Sequence, residues 1–410
     1  MELEVTNRPF ESLLIRERDF LVLVILTGNA LVWFYMTYIQ LGSILANFNA
    51  TFDQIITAWL MYYSAIIFSL LFGSVALTKI RMSRIMVGWI FLGCVSTILP
   101  VLLKITAFEE ILIYCSFIGF SFGIGLPYVL AYFAELTTLE KRGRVAGLLL
   151  LLLYLCVVAM IILIQNVDFT IQTILFTVWR GSGIIFLLFD QLKEKEGSKE
   201  TLPFSFILTN KPFLLYFTPW LLFNIANQAL SGFLEVFLKE QLFTHMQLMT
   251  IAVATVFTFV GGFLLDLLGR KKVIICGFTT LGLACAILSM IPISSPYFIL
   301  YPIADGAAWG TFMASFVFTI WGDLFAGKRV ERVYAIGVFP PYLAGVIWYI
   351  FAPILTKIPP YGAFSLGALF LFIAVIPLMF APETLAKEIV ELRKMKKYVK
   401  NGKRLREWYK

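Results

Sequence analysis

The sequence predicts an all-α membrane protein with twelve transmembrane helices arranged as two pseudo-symmetric six-helix bundles. Its composition is the first reason: 60% of the 410 residues are hydrophobic, 14% are charged, and the mean hydropathy is +0.88. These values lie far outside the range of soluble globular domains. The second reason is the length of the apolar runs, because about 20 residues of helix cross roughly 30 Å of hydrocarbon. The runs are uniformly apolar and do not alternate, which is not the pattern of a closed β-barrel.

The apolar runs fall into two sets of six. The first set predicts helices at 20–46, 54–78, 85–103, 111–134, 145–165 and 171–189. The second set predicts helices at 213–238, 247–268, 273–291, 297–321, 335–356 and 360–381. The stretch between the sets is rich in Lys, Glu and Ser, which is typical of a linker. We therefore divide the chain into a cytoplasmic segment (1–19), an N-terminal bundle (20–189), a cytoplasmic linker (190–212), a C-terminal bundle (213–381) and a basic cytoplasmic tail (382–410).

The basic residues predict the orientation of the chain in the membrane. The sequence has 33 Lys and Arg residues, and with both termini in the cytoplasm all but four of them lie in cytoplasmic segments. The exceptions are Lys104, Lys239 and Lys357 in outer loops and Arg180 within a span. This positive-inside bias and the anionic lipid headgroups explain the net charge of +8, so we expect no nucleic-acid partner. The prediction is a multi-pass protein of the cell membrane.

Metal, cofactor and enzyme chemistry find no support in the sequence. The single histidine, His245, falls in a predicted outer loop, and the five cysteines lie in predicted spans without metal-ligand spacing. A membrane-embedded enzyme would need a nucleophile, a metal or an acid-base cluster at one membrane face. We therefore expect no metal, no cofactor and no enzymatic activity.

One segment combines glycines, an acid and a basic cluster at a helix end. The stretch GGFLLDLLGRKK follows the eighth predicted helix, and its candidate gate residues are Gly262, Asp266, Gly269, Arg270 and Lys271.

An acid followed by a basic loop recurs at equivalent helix ends, which indicates an internal repeat of the two halves. After the fourth helix, AELTTLEKRG places Glu135 seven residues before Arg142. After the tenth helix, WGDLFAGKRVER places Asp323 nine residues before Arg332.

These motifs make the sequence similar to the major facilitator superfamily, whose cytoplasmic signature is a Gly, an Asp four residues later and a Gly-Arg-Lys beyond. GNALVWFYMTY (28–38) and GFSFGIGLPYVLAYFAE (119–135) resemble the first and fourth helices of its metabolite:proton symporter branch, and APETLAK resembles the ending of sugar porters. The chain departs from the first-helix pattern at Val32 and Tyr35, where that branch has carboxylates. It also has Leu77 and Ile80 at signature positions of the first half, so only the second half carries the full signature. The resemblance implies the major facilitator fold and alternating access between two bundles.

The resemblance also implies that the signature closes the cytoplasmic face. Asp266 can pair with Arg270 one turn later, or accept hydrogen bonds from the N-terminus of a neighbouring helix. The same interpretation applies to the pairs Glu135 with Arg142 and Asp323 with Arg332. Wet surface pairs contribute only about 0 to 1 kcal/mol each, which suits a contact that breaks in every cycle. On this interpretation Asp266→Asn lowers transport and leaves melting near wild type; the alternative is a topogenic anchor with an incidental acid.

Two ionisable residues lie within predicted spans, where charges are costly and are functional by default. Asp305 lies about a third of the way into helix ten, with Trp309 one turn further, and could bind a proton or a solute ammonium or hydroxyl group. Gly306 and Gly310 beside it would let backbone and solute approach. Arg180 lies in the middle of helix six and faces either the cavity or the outer mouth, where members of the superfamily place a similar Trp-Arg pair.

Neutral polar and aromatic residues at helical spacing form a second candidate set. They are Asn29 and Trp33 in helix one, Tyr128 and Tyr132 in helix four, and Asn224, Asn227 and Gln228 in helix seven. Amide and aromatic groups suit a neutral or zwitterionic metabolite. Hydrogen bonding between helices is the alternative for each of them.

We therefore expect a monomeric secondary transporter that moves a small polar metabolite, such as a sugar or an organic acid, together with protons. The alternative is an uncoupled facilitator. The lack of carboxylates in the first bundle does not decide between the two, because Asp305 alone could carry the coupling. A transporter-derived sensor is disfavoured by the intact second-half signature. The tail at 382–410 carries ten basic residues and is expected to lie on the anionic inner leaflet.

Overall fold

The computed structural model describes residues 15–103, 105–189, 200–292, 295–355 and 357–385. The first fourteen residues, the stretch 190–199 of the predicted linker and the tail beyond 385 lie outside this part, and so does the predicted contact of the tail with the inner leaflet. Within the described residues the chain forms twelve long helices, named α1 to α12. Their bounds are α1 Glu17–Asn47, α2 Phe52–Ala76, α3 Met82–Leu103, α4 Phe108–Leu136, α5 Arg142–Ile164, α6 Phe169–Leu188, α7 Lys211–Phe237, α8 Glu240–Leu268, α9 Arg270–Leu288, α10 Pro296–Leu324, α11 Glu331–Leu355 and α12 Pro360–Phe380.

The helices confirm the predicted all-α membrane fold. By length and composition, eleven of those in the described residues could cross a membrane. The remaining one, α7, is 27 residues long and carries several polar side chains. It packs against α11 and α12, so it takes the place of the seventh helix that the sequence predicts.

One predicted boundary is corrected. Helix α8 begins at Glu240, seven residues before the predicted start, so His245 lies in the first turns of α8 and not in a loop. Its Nδ1 atom is 2.5 Å from the carbonyl oxygen of Gln241, one turn earlier. The segment EQLFTHM has no Gly or Pro and includes several good helix formers, so the helix extends beyond its apolar part.

Several of the helices contain irregular turns. Helix α4 is interrupted just before Pro127 and α11 just before Pro340, because proline lacks the N–H that would continue the helical hydrogen bonds. Helices α1 and α10 contain π-helical turns at Val24–Gly28 and Met313–Thr319, a feature that is frequent at functional sites.

Helix packing repeats between the two halves, as expected for pseudo-symmetric bundles. In the first half α2 packs on α4, α3 on α4 and α6, and α1 on α5 and α6. In the second half α8 packs on α10, α9 on α10 and α12, and α7 on α11 and α12. The two halves meet through α5 with α8 and through α2 with α11, two contacts that the same pseudo-symmetry interchanges.

Glycines bring some of these helices into close contact. A Cβ atom at Gly119 would lie 2.5 Å from the carbonyl oxygen of Tyr62 in α2. In the second half, a Cβ atom at Gly306 or Gly310 would lie 2.6 or 2.5 Å from a backbone carbonyl oxygen of α8. Small residues spaced by four permit this approach between membrane helices. Gly306 and Gly310 therefore bring α8 towards α10, whereas the sequence suggested that they also admit a solute.

The two membrane faces are named by their connections. The inner face carries the connections α2–α3, α4–α5, α8–α9 and α10–α11, and the outer face carries the connections α1–α2, α3–α4 and α7–α8. The distribution of basic residues predicts that the inner face is cytoplasmic.

Candidate functional site

Asp266, at the inner end of α8, binds the N-terminus of α5 from the other half. Its carboxylate accepts hydrogen bonds from the backbone N–H groups of Gly143 (3.0 Å) and Arg144 (2.9 Å). It also forms ion pairs with the guanidinium groups of Arg144 (3.0 Å) and Arg270 (3.1 Å). A carboxylate at a helix N-terminus neutralises the unpaired N–H groups and the positive end of the helix dipole. The structure thus contains both interactions that the sequence suggested for Asp266.

Asp323, at the inner end of α10, joins the same network. Its carboxylate accepts from Arg142 Nη1 at 2.5 Å and from Arg270 Nε at 3.1 Å. Arg270 also donates to the carbonyl oxygen of Leu139 in the α4–α5 connection at 2.5 Å. Asp266, Asp323 and Arg270 have fully buried side chains, and that of Arg142 is 5% exposed. We call these four residues together with Arg144 the inner-face network; it joins the two halves and is not the wet surface pairing that we expected.

Two predicted pairings within the halves are therefore corrected. Asp323 pairs with Arg142 and Arg270, whereas Arg332 donates to the carbonyl oxygen of Leu202 at 3.3 Å. Arg142 was predicted to pair with Glu135, but its guanidinium group pairs with Asp323. It also donates to the carbonyl oxygen of Ala134 at 2.6 Å. The reason is that pseudo-symmetry places the end of α10 against the start of α5 in the opposite half.

Glu383 is a functional candidate that the sequence analysis missed. Its carboxylate accepts from the backbone N–H groups of Arg270 at 2.8 Å and Lys271 at 3.3 Å, and so caps the N-terminus of α9. Gly269, with φ of +99°, makes the turn between α8 and α9 in a conformation that favours glycine. The Pro-Glu-Thr motif after α12 was the available signal, because it places an acid at the inner face.

The first half forms a weaker version of this contact. Arg329, in the α10–α11 connection, donates to the carbonyl oxygen of Thr78 at the end of α2 at 3.3 Å and pairs with Glu331 at 2.9 Å. Leu77 stands where the second half has its signature Asp. The α2–α11 junction therefore lacks the carboxylate that Asp266 supplies to α5.

The described end of the linker is attached to the same junction. The backbone N–H of Arg329 donates to the carbonyl oxygen of Glu200 at 3.2 Å, and Lys328 pairs with the Glu200 side chain. The hydrogen bond from Lys328, together with its charge, lowers the pKa of Glu200. The Arg332 guanidinium lies over the ring of Phe204. These contacts connect the start of α11 to the described end of the linker.

Asp305 and Asn227, predicted separately as candidates, are in contact. The Nδ2 atom of Asn227 in α7 donates to Oδ1 of Asp305 in α10 at 2.6 Å. Asp305 is 7% exposed, and no basic side chain in the described part of the chain pairs with it. Trp309, one turn further, stacks on Trp220 with ring centroids 6.0 Å apart and an interplanar angle of 26°. The second bundle thus encloses a carboxyl group whose hydrogen-bond partner is a neutral amide.

Arg180 lies neither in a cavity nor at the outer mouth. Its side chain is fully buried within the first bundle, with the guanidinium carbon 4.8 Å from the ring centre of Trp33 and 4.3 Å from that of Trp89. Nη1 donates to Oδ1 of Asn29 at 3.0 Å. A Cβ atom at Gly93 would lie 2.5 Å from Nε, so α3 has a glycine where the guanidinium packs. Arg180 thus connects α1, α3 and α6.

Several predicted polar candidates make contacts between helices or within one helix. Besides binding Arg180, Asn29 donates to the carbonyl oxygen of Trp179 in α6 at 2.5 Å. Trp33 Nε1 donates to Thr97 in α3 at 2.7 Å, and Tyr128 donates to the carbonyl oxygen of Gly73 in α2 at 3.1 Å. Asn224 donates to the carbonyl oxygen of Trp220 within α7 at 2.6 Å. Tyr132 and Gln228 are half-buried.

Aromatic side chains join the two halves nearer the outer face. We call Tyr38 of α1, Trp59 and Tyr63 of α2, and Tyr349 of α11 the outer aromatic cluster. The ring centroid of Trp59 lies 4.7 Å from that of Tyr38 and 6.0 Å from that of Tyr349. The interplanar angle between the rings of Trp59 and Tyr349 is 8°. Tyr63 stacks on Tyr349 at 6.2 Å. The cluster closes α2 against α11, whereas the inner-face network closes α5 against α8.

The described residues contain no group of three His, Cys, Asp or Glu side chains that could hold a metal ion. The sites that they do contain are a charge network between two six-helix halves, an enclosed carboxyl group and an aromatic contact on the opposite side.

Comparison with known proteins is consistent with this architecture. Residues 243–408 match the sequence model of the Major Facilitator Superfamily. No curated protein is similar enough in sequence to be matched. A bacterial homologue of the iron transporter ferroportin, in an outward-facing state with soaked iron, is 12% identical with a TM-score of 0.70 over 88% of this chain and 98% of its own.

Two sugar symporters have similar structures. The fucose:proton symporter of E. coli is 13% identical, with a TM-score of 0.68 over 89% of this chain and 98% of its own. A proton:xylose symporter is 14% identical, with a TM-score of 0.65 over 92% of this chain and 98% of its own. At these identities the likeness shows the fold alone. The resemblance to the major facilitator superfamily that the signature predicted is confirmed.

Proposed function

We propose that the protein is a secondary transporter that moves a small polar metabolite across the cell membrane by alternating access. The observation that carries the proposal is the inner-face network, in which two acids of one half bind two arginines of the other. In a two-bundle transporter such contacts form when one face closes and break when it opens. The partners of the protein are then a small solute, protons and the lipid bilayer, and it acts as a monomer with no enzymatic activity.

Closure and opening of the inner face depend on how the charges are neutralised. When the face is closed, each carboxylate is bound by two guanidinium groups, so the cost of desolvating the charges is offset by pairing. When the face opens, water replaces these partners. The network can therefore break without leaving an isolated charge in the membrane, which a transport cycle requires.

The enclosed carboxyl group of Asp305 is the proposed coupling site. An ionised Asp305 with only the amide of Asn227 as partner would be a buried charge without a counter-charge. Protonation or pairing with a solute cation removes that penalty, so the two faces would exchange access only in the neutral or paired state. Transport would then be coupled to protons.

Uptake by purified protein in lipid vesicles with an imposed pH gradient tests this proposal. We expect the wild type to concentrate at least one solute from a radiolabelled metabolite panel. Asp305→Asn should reduce the ratio of solute inside to solute outside the vesicles to about one, while solute still exchanges between the two sides. The amide can still accept the hydrogen bond from Asn227, but it has no titratable proton. Asp53→Asn, at the outer end of α2, is the matched control and should behave as the wild type.

A mutant that still concentrates solute in response to the pH gradient would show that Asp305 is not the coupling group. A wild type that equilibrates a solute but never concentrates it would support the second candidate, an uncoupled facilitator.

A further inference from the structure

The outer aromatic cluster is placed where a solute entering from the outer face would pass. Trp59 lies seven residues inside the outer end of α2, at a depth of about 10 Å at 1.5 Å per residue. Tyr349 lies six residues from the outer end of α11. Because the rings come from both halves, separating α2 from α11 exposes the faces of Trp59, Tyr63 and Tyr349 to whatever enters.

The shape of the contact depends on a missing side chain. A Cβ atom at Gly345 would lie 2.6 Å from the ring of Tyr63, so this ring rests directly on the backbone of α11. Trp59 and Tyr63 are one turn apart on α2, and both present ring faces to Tyr349. The contact is therefore made from ring faces, and opening the two halves separates these faces.

An acidic group accompanies the cluster at the outer face, and a second one lies deeper in the second bundle. Glu235, two residues before the outer end of α7, is exposed and close enough to Tyr38 and Tyr349 to interact with them electrostatically. Asp305 lies further in, nine residues after the start of α10. Lys239 and Lys357 lie beyond the ends of their helices, and Arg180 is fully enclosed within the first bundle.

This arrangement favours a positively charged solute. Faces of Trp and Tyr rings attract cations through the ring quadrupole, and aromatic cages are the usual recognition sites for quaternary ammonium groups. Carboxylates along the route attract cations and repel anions. A neutral solute could donate hydrogen bonds to these carboxylates but would gain no charge attraction from them.

We propose that the transported solute is an organic cation, an amine or quaternary ammonium compound, which binds to the outer aromatic cluster beside Glu235. This inference rests on the proposed transport function and assigns its substrate class. It replaces organic acids and sugars as the expected solutes.

Binding and transport of radiolabelled tetraethylammonium test the inference. The full-length protein is measured in lipid nanodiscs for binding and in vesicles for uptake, beside a neutral pentose and an anionic monocarboxylate. We expect tetraethylammonium to bind and to be taken up in preference to the other two. Tyr349→Leu should weaken its binding about ten-fold, equivalent to about 1.4 kcal/mol, and Glu235→Gln should weaken it less.

Two control variants separate recognition from folding. Tyr349→Phe keeps the ring and should recover most of the binding that Tyr349→Leu loses. Phe68→Leu removes a ring that is 61% exposed on the membrane side of α2 and should also leave binding unchanged. Gel filtration and thermal unfolding verify that each variant is folded.

Three outcomes would overturn the inference. They are uptake of the pentose or the monocarboxylate without tetraethylammonium, binding that is unaffected by Tyr349→Leu, and absence of tetraethylammonium binding. The first leaves the transport function intact and removes only the substrate class. If tetraethylammonium binding depends on the ring of Tyr349 but no solute is taken up, the result supports cation recognition and contradicts the transport function.

Discussion

Asp266 shows how one carboxylate can hold two halves of a membrane protein together. It accepts two backbone N–H groups and two guanidinium groups, and only Arg270 among these partners belongs to its own half. The sequence predicted a solvated ion pair whose removal would leave the melting temperature unchanged. Because the carboxylate is fully buried, we expect its replacement to cost more free energy than the loss of a solvated ion pair.

We predict that Asp266→Asn opens the inner face and lowers transport. Removing one partner from a buried charge network costs about 3–5 kcal/mol, and a factor of ten corresponds to about 1.4 kcal/mol, so the ratio of closed to open molecules should fall about a hundredfold or more. The measurement is the distance between spin labels on Glu140→Cys and Lys272→Cys, which are exposed on opposite halves. As a control, Lys328→Gln removes the surface ion pair with Glu200 and should leave the distances between the labels unchanged. If the distance distributions of Asp266→Asn and the wild type were equal, the motif would be only a topogenic anchor.

Arg180 is expected to stabilise the first bundle and not to bind the solute. Lysine cannot reproduce the planar contact with Trp33 and Trp89, so Arg180→Lys should destabilise the protein by about 1–3 kcal/mol and leave the KM of the remaining transport near that of the wild type. Thermal unfolding together with uptake kinetics checks this. Arg84→Lys, exposed at the start of α3, is the control. If Arg180→Lys raised the KM and left the melting temperature unchanged, Arg180 would instead contact the solute in the cavity.

At the scale of helices, closure of the inner face depends on the contact between α5 and α8. A Cβ atom at Gly262 would lie 2.8 Å from the Cα atom of Gly147, and one at Gly143 would lie 2.6 Å from Oδ1 of Asp266. The glycine of the signature thus lets the helices approach closely enough for Asp266 to reach the first turn of α5.

We therefore predict that Gly262→Val disrupts the inner-face network without changing any of its charges. The added side chain should hold α5 and α8 apart, lengthen the distance between labels at 140 and 272, and reduce uptake at least ten-fold. Gly88→Val is the matched control, since no atom lies within 4 Å of a Cβ placed at Gly88. Normal uptake by Gly262→Val would mean that the inner face tolerates a wider helix spacing.

At the scale of the molecule, the two halves are related in their packing and differ in their chemistry. The contacts between α5 and α8 and between α2 and α11 are equivalent by pseudo-symmetry. The first is held at the inner face by buried charges, and the second is held towards the outer face by stacked rings. In the proposed transport cycle, opening one face would break ion pairs and opening the other would separate aromatic rings, so the two conformations would respond differently to salt and to solute.

The predicted orientation can be tested on the whole molecule. Cysteines at Asn49 and Gly327 lie on the outer and inner faces, in the α1–α2 and α10–α11 connections. A membrane-impermeant maleimide should label Asn49→Cys and not Gly327→Cys in intact cells, because the basic residues favour a cytoplasmic inner face. Labelling of both after permeabilisation is the control. The opposite pattern would reverse the orientation and assign the network to the extracellular side.

The sequence by itself determined the twelve helices, the division into halves and the pairing of Asp266 with Arg270, because apolar length and one-turn spacing are local properties of the chain. It also identified Asp305 and Asn227, since polar groups within a span are conspicuous. Only the tertiary structure decided that Asp323 binds Arg142, that Asn227 binds Asp305 and that Arg180 is sealed between two tryptophans. Each of these contacts joins residues far apart in the chain, and their partners are set by how the helices pack around a pseudo-twofold axis, which local spacing cannot specify.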